Sequence, residues 1–285
     1  MGLDAFVRCN CWKEGRTTPP PVPRELIYED EEGLELRLPF DGKEEMYFAF
    51  DRWMLSCCEH EDMSYARVRV SNWSGYRLFQ QALERAGWEH FPTLEAELPN
   101  ANGGQMSPGS AAKALAELRY FCDQADLGEN TFLVDAETGE ELRAYVASYA
   151  GMFAFAAHYE LGFDPNGFYV LDESVAPPKE LFRSCRFEQR FLEPLPMDAN
   201  YGGPVELIDL VMQERAVSPM AITGHEIPWP DGRMENDQGS VRNAYPRFLE
   251  VTRRRVTSAD YDYILDPLTE IFEASVEIGN PVIWC

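Results

Sequence analysis

The chain has 285 residues, 45% hydrophobic and 26% charged, which excludes a disordered, fibrous or collagen-like protein and allows a large buried core. Its 49 acidic side chains against 25 basic ones give a net charge of −24, spread evenly along the chain. A field of that sign repels phosphate backbones, so it argues against nucleic-acid binding and for a basic protein partner.

The alternation of Leu3–Cys11 predicts a first strand. Thr17–Pro23 (TTPPPVP) is a stiff extended connector, because its prolines forbid helix. The acidic run Glu29, Asp30, Glu31, Glu32 precedes a half-buried strand at Leu34–Leu38, and a short helix with Trp53, Met54 and Cys57 on one side starts near Asp51. Tyr65–Val70 alternates as a further strand. Ser74 opens a helix carrying Tyr76, Phe79, Ala82 and Leu83, which Gly87 stops. Ser107-Pro108 opens another, with Ala111, Ala114, Leu115, Leu118 and Phe121 on one stripe. Thr131–Asp135 reads as a strand, Glu141–Ala157 as a helix and Phe168–Leu171 as a strand. The 198–237 region is a Gly/Pro-rich loop interrupted by an amphipathic piece at Val205–Arg215. A last helix from Ser258 carries Pro267 as a kink, and Val282–Cys285 forms a terminal strand. This interleaving predicts an α+β fold, a mixed sheet with packed amphipathic helices, and α/β is the alternative. One domain over 1–285 is expected, with a soft boundary near 100–107.

Met1–Gly15 has neither a basic stretch nor an apolar run before a small-residue cleavage site, so a cytoplasmic protein with reduced thiols is expected. The longest apolar run, Ala147–Ala157, is far shorter than the roughly 20 residues that span a bilayer, so no membrane association is expected.

Cysteine placement is the strongest chemical signal. Cys9-x-Cys11 and Cys58-x-His60 form two short ligand pairs, and zinc takes four such donors in a tetrahedron. Residues two apart on a strand share a face, which would aim Cys9 and Cys11 at one ion. The alternative is that these thiols are small buried hydrophobes. A third reading makes Cys58 or Cys11 a nucleophile, with His60 as base and Asp51 as orienter. Glu59, Glu61 and Asp62 oppose it, because negative neighbours disfavour a thiolate. His90, His158 and His225 read as structural or exposed. No G-x-G-x-x-G, G-K-[ST], H-E-x-x-H or G-x-S-x-G motif occurs, so there is no catalytic signature to name.

The opening Met1-Gly2-Leu3-Asp4-Ala5, then Cys9-Asn10-Cys11 and Gly15, with Phe50-Asp51-Arg52-Trp53 leading into Cys58-Glu59-His60, resembles a group of bacterial proteins without an established activity. The resemblance covers chiefly the first 60 residues, with a looser likeness at Gly279-Asn280-Pro281-Val282. It implies a bacterial origin and draws attention to the two Cys/His segments. Together these features lead us to expect an acidic interaction protein, such as an immunity-type inhibitor of a basic toxin or nuclease. Glu29, Asp30, Glu31, Glu32, Tyr201 and Trp229 are its candidate contact residues. The alternative is a metal- or thiol-dependent enzyme built on Cys9, Cys11, Cys58 and His60, and zinc is the one cofactor in view.

Overall fold

The structure, a computed structural model, describes residues 2–29, 33–123, 125–193, 203–224, 226–228 and 241–285. The chain divides into two compact units, Met1–Leu127 with Thr257–Cys285, and Gly128–Val256. The 100–107 stretch lies inside the first. The fold is α+β, with five α-helices and antiparallel sheets among the described residues.

The first unit begins with strand β1 (Gly2–Arg8), followed by the short hairpin β2 (Ile27–Glu29) and β3 (Leu34–Leu36). Helix α1 (Glu44–Met54) leads through a loop into β4 (Ser64–Asn72) and α2 (Trp73–Ala86). Helix α3 (Pro92–Glu97), strand β5 (Gln105–Met106) and α4 (Pro108–Asp123) complete its N-terminal part. Helix α2 starts one residue ahead of Ser74, because the Asn72 side chain accepts the Gly75 amide at 2.8 Å and so supplies the cap. Ser107 performs the same service for α4, accepting from Ser110 N at 3.1 Å just ahead of Pro108.

The second unit is all antiparallel. It contains β6 (Glu129–Asp135), β7 (Glu141–Ala144), β8 (Met152–Ala156), β9 (Tyr159–Asp164), β10 (Gly167–Asp172), β11 (Lys179–Ser184) and β12 (Arg186–Phe191). It continues with β13 (Val205–Asp209), β14 (Arg215–Ser218), the two short strands β15 (Glu226–Pro228) and β16 (Val241–Asn243), and β17 (Phe248–Arg255). One sheet has the order β14-β13-β12-β17-β6-β7 and another β11-β10-β9-β8. Their apolar faces form a single aromatic core around Phe163, Phe168, Phe182 and Phe187. The chain then returns to the first unit as α5 (Asp262–Ile278) and β18 (Val282–Trp284). There the sheet order is β4-β1-β18-β5, and Phe79 of α2, Phe121 of α4 and Tyr261 in the turn just ahead of α5 pack together, with ring centroids 5.3 to 6.3 Å apart.

Three expectations change. Glu141–Ala157 is not a helix but strands β7 and β8. Gly151, at φ 81°, turns the chain where a side chain would run into the Phe163 carbonyl, and β8 then pairs with β9. His158 accordingly sits in the β8–β9 turn, 3.6 Å from Asp172. Val205–Arg215 is a hairpin, and α1 starts at Glu44 instead of near Asp51 and ends before Cys57, while α5 runs through Pro267 to Ile278 as expected.

The β6–β7 and β13–β14 turns share one construction. Asp135 Oδ1 accepts from Glu137 N at 2.8 Å, and Asp209 Oδ1 accepts from Val211 N at 2.8 Å. Gly139 N returns to Asp135 O at 2.8 Å, and Gln213 N to Asp209 O at 3.1 Å. The returning residue is left-handed in both, φ 76° at Gly139 and 61° at Gln213. The carboxylate of Asp209 is held below its ordinary range by its serine and backbone donors in spite of its burial. Gln213 hides this likeness in the sequence, since glutamine gives no turn signal.

Candidate metal centre

Two segments 49 residues apart build the site. The first is the turn that follows β1. Cys9 leaves the strand by donating its amide to Met63 O at 2.8 Å, and the turn closes with Arg16 N on Cys11 O at 2.8 Å. Cys11 therefore reaches the site through a turn and not by strand alternation. The second segment is the loop after α1, where Thr18 N bonds Cys57 O at 2.7 Å and brings the proline-rich connector alongside. Trp53 Nε1 fastens that connector, reaching Thr18 O at 3.2 Å and Thr18 Oγ1 at 3.1 Å. Just past His60, Asp62 and Met63 are both left-handed at φ 52°. Such a conformation costs a residue with a side chain about 1–2 kcal/mol, so the tertiary structure holds this turn open. Asp62 N on Leu55 O at 3.2 Å and the Arg67–Asp62 ion pair at 3.2 Å contribute to holding it.

These segments bring the donor atoms of Cys9, Cys11, Cys58 and His60 within 4.8 Å of one another, a group that can hold a metal ion. Cys9 Sγ is 3.8 Å from Cys58 Sγ, and Cys11 Sγ is 3.4 Å from His60 Nδ1. Metal–sulfur bonds of about 2.3 Å and a metal–nitrogen bond of about 2.0–2.1 Å in a tetrahedron require about 3.8 Å between sulfurs and about 3.5 Å between sulfur and nitrogen. Both spacings match. Neither is a disulfide, whose sulfurs lie about 2.05 Å apart.

The surroundings are apolar. Cys9, Cys11 and Cys57 belong to a small buried cluster with Val22, Ile27, Leu34, Leu36, Phe50, Trp53 and Met63, while Cys58 and His60 are half-buried at its edge. Burial pushes the Cys9 thiol up, the Cys11 thiol to about 12 and the Cys57 thiol to about 11. Burial disfavours the thiolate of Cys11 as a nucleophile, and Asp51 stands on the exposed side of α1.

Of the candidate contact residues, Glu29 pairs with Lys13 at 3.1 Å. Asp30, Glu31, Glu32, Tyr201 and Trp229 lie outside the described residues, as does His225. The sequence reading missed a carboxylate row on α5. Asp266, Glu270, Glu273 and Glu277 line a groove of about 530 Å³ shared with Tyr65 and Ala66 of β4. Its i, i+4, i+7, i+11 spacing is the signal in the sequence, on the exposed side of the helix whose apolar stripe is buried. No helix among the described residues is long and apolar enough to cross a membrane. No protein-family model, curated protein or solved structure matches the chain.

Proposed function

We propose that this chain is a zinc-stapled, acidic interaction protein of the bacterial cytoplasm, which acts by binding a basic protein partner and not by catalysis. The gathering of four donors within 4.8 Å, with the Cys9–Cys58 and Cys11–His60 spacings at the values a tetrahedral site needs, carries the zinc reading. Three sulfurs and one imidazole nitrogen suit zinc, and four protein ligands leave no position for water or substrate, as in structural sites. The ion ties the turn after β1 to the loop after α1 across a cluster whose strands β2 and β3 have three residues each. So small a core gains most from a staple.

The charge of −24 and the carboxylate row of α5 support a basic partner, with acidic side chains raising both association rate and selectivity. An immunity-type inhibitor of a basic toxin or nuclease fits this description. Metal analysis of purified protein tests the site: about one zinc per chain, lost in Cys9→Ser and His60→Ala, is expected. Affinity capture from the native host tests the partner. A stoichiometric basic protein whose binding weakens as salt rises supports the reading, and its absence counts against it.

A further inference from the structure

We propose that the Cys9/Cys11/Cys58/His60 centre is a redox-sensitive switch, in which a hydroperoxide joins Cys9 to Cys58 as a disulfide and the site releases its ion. The proposal rests on the zinc reading above and adds regulation to it.

Two observations carry it. The sulfurs of Cys9 and Cys58 are 3.8 Å apart, so side-chain movement of under about 2 Å brings them to bonding distance. Cys58 is half-buried whereas Cys9, Cys11 and Cys57 are buried, so an oxidant from solvent meets the Cys58 sulfur first. The competitors are Cys57, whose Sγ also meets the Met54 carbonyl at 3.8 Å, and Cys11, whose Sγ also meets His60 Nδ1 at 3.4 Å; both lie beside Cys58, so the mapped link decides among them.

The chemistry balances. The Cys58 thiolate attacks one oxygen of the hydroperoxide, the O–O bond breaks, and Cys58 becomes a sulfenic acid while an alcohol or water departs. The Cys9 thiolate then displaces hydroxide from that sulfur and the S–S bond forms. Two thiolates give up two electrons, the peroxide takes them, and two protons are consumed. Cys11 and His60 remain, two donors where zinc takes four, so the site no longer holds the ion.

The disulfide connects the same two segments that the ion connects. Those segments are also joined by Cys9 N to Met63 O at 2.8 Å, so the fold outlasts the oxidation and a thiol reductant with zinc restores the starting state. His60 changes most, since it loses its anchor beside the left-handed turn at Asp62 and Met63.

The test uses full-length, zinc-loaded protein with the exposed cysteines removed as Cys122→Ser and Cys185→Ser. Hydrogen peroxide is added stepwise, free zinc is followed with a chromogenic chelator, and cross-linked peptides are mapped without reductant. The expected result is one zinc released per Cys9–Cys58 link, reversed by dithiothreitol with added zinc and unchanged by Cys57→Ser. Zinc retained through the treatment overturns the switch alone. So does release accompanied by a link through Cys11 or Cys57 in place of the Cys9–Cys58 one, or by sulfinic acid without a disulfide. A chain that neither carries nor takes up zinc overturns the reading of the site and the switch with it.

Discussion

The thiol-lined cluster of the first unit and the aromatic core of the second solve the same problem by different means. In the second unit, Phe168 stacks on Phe187 at 4.7 Å between centroids, and Phe182 meets Phe187 edge-on at 5.8 Å. All three are buried, and two sheets close over them. That core is large enough to be held by burial. Around Cys9, Cys11 and Cys57 the elements are a proline-rich connector, two three-residue strands and one helix, with Trp53 as the main aromatic anchor. On the function proposed above an ion does there what aromatic area does elsewhere, and the difference then shows where this protein depends on its chemical surroundings.

The comparison yields graded predictions. Phe187→Ala empties the middle of the second core and is expected to cost about 3–5 kcal/mol. Calorimetry should show a lower transition for the second unit with zinc content unchanged, and a parallel loss of zinc would break the distinction drawn here. Removing zinc with a chelator should lower the transition of the first unit instead. Zinc free at about 100 times its dissociation constant contributes about 2.7 kcal/mol, and His60→Ala should reproduce that loss without chelator. The effect should also depend on pH. Burial keeps Cys9 and Cys11 protonated in the metal-free state, so binding must release protons, and zinc affinity measured by competition should fall as pH falls.

A smaller effect comes from Glu188 of β12. Arg190 and Arg247 each reach its buried carboxylate at 2.6 Å and hold it below the usual carboxylate range. Both arginines are more than one-third exposed, so solvent screens the pair, and Glu188→Gln is expected to cost about 1–2 kcal/mol. Because the folded carboxyl is the more acidic, its contribution is complete above the unfolded value of about 4.3 and fades as pH falls through the folded one. Denaturant melts of the two proteins should therefore differ at pH 7 and converge at acid pH. Asn72→Ala, which removes the α2 cap, should cost about 1 kcal/mol in the first unit.

Much of this was legible in the residues. Caps, periodicity and stops located α2, α4 and α5, because there local preference and tertiary packing agree. Glu141–Ala157 misled because its composition suits a helix. Gly151 alone marks the turn, and the pairing of β8 with β9 depends on residues the local pattern does not contain. The four residues of the candidate metal centre could be named from two short spacings, yet the reason Cys11 faces the others could not. Strand alternation was the expected device, and the turn closed by Arg16 N on Cys11 O is the actual one. The left-handed pair Asp62 and Met63 had only a weak signal, since aspartate visits that conformation more often than most residues but methionine does not.

X-ray absorption at the zinc edge of the purified full chain tests the central claim most directly. The account predicts one zinc per chain with three sulfurs at about 2.3 Å and one nitrogen at about 2.0–2.1 Å. A protein that takes up no zinc, or whose zinc carries an oxygen ligand in place of one of these donors, would contradict it.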